Sequence, residues 1–159
     1  MIGNSTEIGV LNIGSSDNGA ITLNGVITTD GAVTIDGPVT LGANITVTTA
    51  NDAITFNHKI NGTQSLTLES GTAAITLDGV IGGDAILTGL SVNSTDGSTG
   101  TIEITDIGDS VAVGVNTGTI SIGNANTTTL TLDGTTYKTD GVTIYAVSYT
   151  HLRAHETHN

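Results

Sequence analysis

The sequence predicts an all-β fold, a parallel β-helix or solenoid of about 21 residues per coil, and three observations carry that prediction. The residue types are those of strands and turns. A short apolar–polar–apolar cassette recurs along the chain. Two windows containing it align without a gap at an offset of 21, and a fixed period of that size is the mark of a stacked repeat.

Composition comes first because it removes whole classes. Charged residues make up 11% of the chain and apolar ones 36%, so Thr, Ser, Asn and Asp must supply most of the wetted surface. Glu, Lys, Gln and Arg, which normally coat exposed helices, are scarce, whereas Thr, Val, Ile and Gly abound. Three Lys or Arg against fifteen Asp or Glu give a formal net charge of −12. Such a chain repels nucleic acid and anionic lipid, so neither nucleic-acid binding nor membrane insertion is expected. With no Cys, no disulfide framework holds the fold, and stacking must do so instead. The first residues, Met1 to Glu7, lack the basic start and apolar stretch of a signal peptide, and Met1 is read as internal to a longer protein.

In chain order the cassettes begin with Ile21-Thr22-Leu23, Val33-Thr34-Ile35 and Val39-Thr40-Leu41. The aligned windows follow. Ile45-Thr46-Val47, Ile54-Thr55-Phe56, Ile60 and Gly62 find counterparts 21 positions on in Leu66-Thr67-Leu68, Ile75-Thr76-Leu77, Ile81 and Gly83. Looser copies are Leu90-Ser91-Val92, Ile102-Glu103-Ile104, Ile120-Ser121-Ile122 and Leu130-Thr131-Leu132. Alternation with period two turns the aliphatic pair inward and the central residue to solvent. Between cassettes stand Asp-Gly at Asp30, Asp36, Asp78, Asp96, Asp133 and Asp140, and Asn-Gly at Asn18, Asn24 and Asn61. These are turn formers that tolerate positive φ. A β-sandwich is the alternative, with the same dipeptides closing antiparallel hairpins. Strands of three to five residues and 3% aromatics favour the solenoid.

The final stretch departs from this pattern. Val147 to Thr157 contains no Gly, no Asp and no cassette, and it resembles one translated frame of the transposase-end adapter of sequencing libraries. The repeat segment is therefore placed at residues 1–146, and 147–159 is expected to be a non-native, disordered read-through. The exclusion matters because His151 and His155, four apart, and His158 otherwise imitate a metal site.

Nothing else converges on chemistry. Gly82-Gly83-Asp84-Ala85-Ile86 approaches a calcium-roll nonapeptide but lacks its third Gly and places Asp early. Asp106 and Asp109 form the densest acidic spot and read as turn residues. His58-Lys59 holds the single His and one of the two bases outside the tail, and reads as a solvent-facing variation in a turn. Ser and Thr are plentiful but have no partner His to activate them. Five Asn-X-Ser/Thr sequons, at Asn4, Asn44, Asn61, Asn93 and Asn126, are what so Thr-rich a chain throws up. The sequence thus predicts no enzyme, no cofactor and no catalytic, cofactor-binding or metal residues.

The runs from Gly31 to Asn44, Ser65 to Thr72, Ile75 to Gly83 and Lys138 to Ala146 resemble the β-strand repeats of large haemagglutinin-like bacterial adhesins, over roughly residues 18–146. That resemblance implies a right-handed helix in a long secreted or surface-exposed protein, outer-membrane associated, serving cell adhesion. Its partners would be neighbouring repeats of the same chain, with host or biofilm glycans or proteins met by regions outside this segment. The alternative function is that of non-catalytic coils of a carbohydrate-active β-helix enzyme. On either reading the isolated segment is expected to associate through its open ends.

Overall fold

The computed structural model describes residues 8–14, 19–95, 97–116, 118–140 and 143–145. Among them every regular element is a strand, and every strand pair is parallel. The antiparallel hairpins of a sandwich do not occur among these residues. The adapter-like tail lies outside them.

The strands collect into three sheets. Sheet 1 stacks β1 (Leu11–Gly14), β4 (Val33–Asp36), β7 (Ile54–Phe56), β10 (Ile75–Leu77), β12 (Ile102–Ile104) and β14 (Leu130–Leu132). Sheet 2 stacks β3 (Ile27–Thr29), β6 (Ile45–Thr49), β9 (Ser65–Glu69), β11 (Gly89–Val92), β13 (Ile120–Ile122) and β15 (Thr143–Tyr145). Sheet 3 holds β2 (Ile21–Leu23), β5 (Val39–Leu41) and β8 (Ile60–Asn61), and isolated bridges continue it through Ile81, Ile107 and Tyr137. The chain visits sheets 1, 3 and 2 in that order and returns to sheet 1 one rung higher. With strands about 4.8 Å apart, six rungs span roughly 24 Å between the first and last backbones.

Register places like on like. On sheet 1 one inward column runs Leu11, Val33, Ile54, Ile75, Ile102, Leu130, and its neighbour runs Ile13, Ile35, Phe56, Leu77, Ile104, Leu132. On sheet 2, Ile27, Val47, Leu68, Val92 and Ile122 form another. From Val33 to Ile122 the members of these columns are essentially without solvent contact, and together with Val39, Ile60, Ile81 and Ile107 they make one continuous core. β-Branched and aliphatic side chains suit this geometry because each repeats its neighbour's shape at the strand spacing, which fills a narrow interior without large aromatics. Phe56 is the exception and is fully buried.

The 21-residue step holds where the sequence repeat is clearest, and lengthens beyond it. Val33 pairs with Ile54 and Ile54 with Ile75, both 21 apart, but the next steps are 27 to Ile102 and 28 to Leu130. Strand length hardly changes. The extra residues enter at two corners, 82–88 and 108–119 between sheets 3 and 2, and 93–101 and 123–129 between sheets 2 and 1.

The turn glycines correct one expectation. Of the Asp-Gly and Asn-Gly glycines, Gly62 and Gly97 do take positive φ, but Gly79 and Gly134 do not. There the requirement is close approach: a Cβ on Gly79 would lie 2.2 Å from the His58 carbonyl carbon, and one on Gly134 would lie 1.6 Å from the Thr105 oxygen. Coils pressed together at strand spacing leave no room for a side chain at those corners.

Candidate functional site

Each of the two inserted corners carries a cleft, and a buried polar column explains how one of them could grow. At the corner between sheets 2 and 1, Thr29, Thr49, Ser70, Asn93 and Asn124 follow one another up the stack, each nearly or fully buried. In the lower coils a hydroxyl closes its own turn: Thr29 Oγ1 donates to Gly31 O at 2.6 Å and Ser70 Oγ to Ala73 O at 2.7 Å. A hydroxyl reaches only a short turn. Where the corner lengthens, Asn takes over, because its carboxamide accepts and donates at greater reach. Asn93, at φ 44°, accepts from Ser70 N at 2.7 Å and donates to Ser70 Oγ at 2.9 Å. Asn124 Nδ2 lies 2.8–2.9 Å from the carbonyl oxygens of Asn93, Thr95 and Ser98, and so ties these three residues of the corner together. Among the described residues no buried side-chain polar atom lacks a hydrogen-bond partner.

Beneath that corner lies an open cleft of about 320 Å³ lined by Thr48, Thr49, Glu69, Gly71, Thr95 and Ser98. Glu69 sits at its centre, accepting from Thr95 Oγ1 at 2.9 Å and from Ser98 Oγ at 3.4 Å. One carboxylate among hydroxyls can hydrogen-bond a polyol. Among the described residues of this lining Glu69 is the one acid, whereas glycosidic cleavage by a carboxylate pair needs two.

A smaller cleft, about 150 Å³, opens against the other corner and is lined by Lys59, Asn61, Val80, Gly83, Asp84 and Asp109. Here the structure gathers several residues singled out from the sequence. Lys59 Nζ meets Asp84 Oδ2 at 2.6 Å, and Asn61 Nδ2 donates to the same oxygen at 3.1 Å. The Lys59 hydrogen bond and charge hold the Asp84 carboxyl below its ordinary 3.8. The calcium-roll-like run therefore spends its carboxylate on a neighbouring coil. Asp109 Oδ1 accepts from Val111 N and Ala112 N, both at 2.7 Å, and these two amides depress its pKa. Asp106, three residues earlier, turns away to a different coil and accepts from Thr135 N at 2.9 Å and Thr136 N at 2.7 Å. His58 Nε2 stands 3.3 Å from Asp36 Oδ1, one coil below. Among the described residues no three His, Asp or Glu side chains come together in a way that could hold a metal ion. His151, His155 and His158 lie outside the described residues.

Because the folded pKa values of Asp84 and Asp109 are depressed, their contribution is present above the unfolded value of 3.8 and fades as pH falls through the folded values. Both are exposed, so the effect is small. Acid titration followed by circular dichroism is expected to leave the strands intact down to that value, with any loss confined below it.

Sequence reasoning missed Tyr137, which ends the sheet 3 column on Ile107. Its hydroxyl stands 2.6 Å from Thr105 O and 3.0 Å from Ile104 O and accepts from Gly134 N at 2.8 Å. Burial raises its pKa above the usual phenol value. Tyr137→Phe leaves these partners unsatisfied and is expected to cost about 1–2 kcal/mol, read as a lower denaturant midpoint at unchanged slope. A midpoint equal to the parent's would count against this plug.

The described residues thus offer two clefts on the stack, one built around Glu69 and hydroxyls and one around the Lys59–Asp84 pair. Comparison with known proteins returns no match, whether to a protein family, a curated protein or a solved structure.

Proposed function

We propose that the chain is a stalk or spacer segment of a large secreted or surface-exposed bacterial adhesin, and that its task is to hold other parts of that protein at a distance. The observation that carries this reading is the set of in-register apolar columns from Leu11 to Leu132, an architecture in which every coil adds the same increment of length. Each rung rests only on its neighbours, so length can be added without redesigning the interior. The exposed faces of the rungs carry Thr ladders such as Thr34, Thr55 and Thr76, which wet the rod without charge.

Duplicating residues 54–74 tests the spacer directly. Small-angle scattering should show the rod lengthened by about 4.8 Å at constant cross-section. A widened or disordered particle would argue against it. A second reading, non-catalytic coils of a carbohydrate-active β-helix enzyme, draws on the hydroxyl-lined cleft around Glu69. Saturable binding of an oligosaccharide, lost in Glu69→Gln, would favour that reading, and release of reducing ends from a polysaccharide by this chain would sink the stalk.

A further inference from the structure

Two Asn-Gly dipeptides within the described residues lie where the chain leaves sheet 3, Asn24-Gly25 just after β2 and Asn61-Gly62 at the end of β8 two coils on, and their surroundings differ in a way that bears on covalent chemistry. Asn61-Gly62 is locked. Asn61 is 8% exposed, and its Oδ1 accepts from Asp84 N at 3.0 Å and Ala85 N at 3.2 Å while its Nδ2 holds Asp84 Oδ2. The Gly62 amide is also engaged, donating to Ala85 O at 3.1 Å. Asn24-Gly25, which joins β2 to β3, carries an exposed Asn. Its carboxamide lies beside Gly42 of the next coil, where the missing side chain leaves it space, and among the described residues nothing hydrogen-bonds that carboxamide or accepts from the Gly25 amide.

We infer that Asn24 is a site of spontaneous covalent modification, converting through a cyclic imide to aspartate and isoaspartate, and that Asn61 is shielded from the same reaction. The Gly25 amide nitrogen gives its proton to solvent base and attacks the Asn24 carboxamide carbon. The bond from that carbon to Nδ2 breaks, and ammonia leaves with a proton from water. Water then opens the five-membered imide at one carbonyl or the other. Glycine allows the approach because no Cβ obstructs the attacking nitrogen. At Asn61 the electrophilic carbon is fixed by three hydrogen bonds and the attacking nitrogen is committed to Ala85, so reaction waits on opening of the corner. The isoaspartyl product routes the main chain through the side-chain carbon at the corner between sheets 3 and 2, and both products add a carboxylate to a chain already at −12.

The test is peptide mapping with fragment ions that separate Asn18, Asn24 and Asn61, after incubation at mildly alkaline pH of the full chain, folded and in urea. In the folded protein the amide-to-acid mass gain is expected at Asn24 at close to its rate in urea, with conversion at Asn61 slower by about tenfold or more because it requires local opening. In urea the two should convert alike. Equal rates at Asn24 and Asn61 in the folded chain, or an Asn24 that stays intact while the urea sample converts, would overturn the inference. Gly25→Ala should slow conversion at Asn24 without changing Asn61, and a variant in which Asn24 kept its rate would also count against it.

Discussion

Removing residues 54–74 is expected to leave a folded protein with a single cooperative melt, whereas removing Thr55 alone is expected to be the more damaging change. The longer deletion takes out one rung of every sheet, and the ends it brings together already match. Val33 passes from Ile54 to Ile75, Val39 from Ile60 to Ile81, and Ile45 from Leu66 to Leu90, each the next member of its own column. Even the polar corner has a replacement, since Thr49 takes the place of Ser70 beneath Asn93. Deleting Thr55 instead puts Ile54 and Phe56 on opposite faces of β7, because side chains alternate along a strand. One of two fully buried side chains must then leave the core, at about 3–5 kcal/mol if Phe56 is lost. Thermal melts of the two deletions decide the matter. Loss of the cooperative transition in the longer deletion, or its retention at the parental temperature in the shorter, would contradict the in-register stack.

Asn124→Asp should be the most harmful isosteric change. The Asn124 Nδ2 group faces three carbonyl oxygens within 2.9 Å at a nearly buried position, and a carboxylate there would meet oxygens where it needs donors. An uncompensated buried charge costs about 3–5 kcal/mol, enough to release the 93–98 loop or melt the upper coils. The pH dependence has a definite sign. Burial against acceptors favours the protonated acid, so the folded pKa of the introduced group lies above its unfolded value. The penalty is then absent at pH below the unfolded value and grows as pH rises through neutrality. Melting temperatures of variant and parent should converge on acidification and separate at neutral pH. A constant difference across the range would mean the three carbonyls are not what Asn124 serves.

Much of this fold was legible before any coordinates. Of the eight residue pairs found at an offset of 21, seven, from Ile45 with Leu66 to Ile60 with Ile81, are paired in the structure at that register; the eighth, Gly62 with Gly83, is not, and the Gly62 amide donates to Ala85 O instead. Alternation fixed which face of each cassette is inward, because only one choice buries the aliphatic pair. The upper coils were harder. Inserted corners have no period, and Leu87, Ile107 and Val115 are wholly buried without belonging to a cassette, each making one isolated bridge per neighbour. The clefts were not visible for the same reason: Glu69 ends an ordinary strand, and only the 93–101 corner folding over it makes a cleft. Asn93 stood out only as a sequon and Asn124 not at all, because their role as a buried scaffold depends on contacts 23 to 31 positions away. His58 and Lys59 lie in the turn before β8, but their contacts with Asp36 and Asp84 carry no sequence signal.

The purely parallel stacking has a mechanical side. The first and last rungs lie at opposite ends of the sheets, so tension between the chain's two ends acts across the strands and loads one rung's hydrogen bonds at a time. Peeling is therefore expected to proceed rung by rung and at low force. Each 21-residue coil shortens the rod by only about 4.8 Å when it leaves, yet it releases roughly 70 Å of extended chain. The longer coils that end at Ile102 and Leu130 release more. Stretched in an optical trap, the rod should yield in a staircase of small, similar steps, dissipating load and re-zipping when it is relieved. A stack built this way is expected to resist bending through its core and to absorb sudden pulls through its ends.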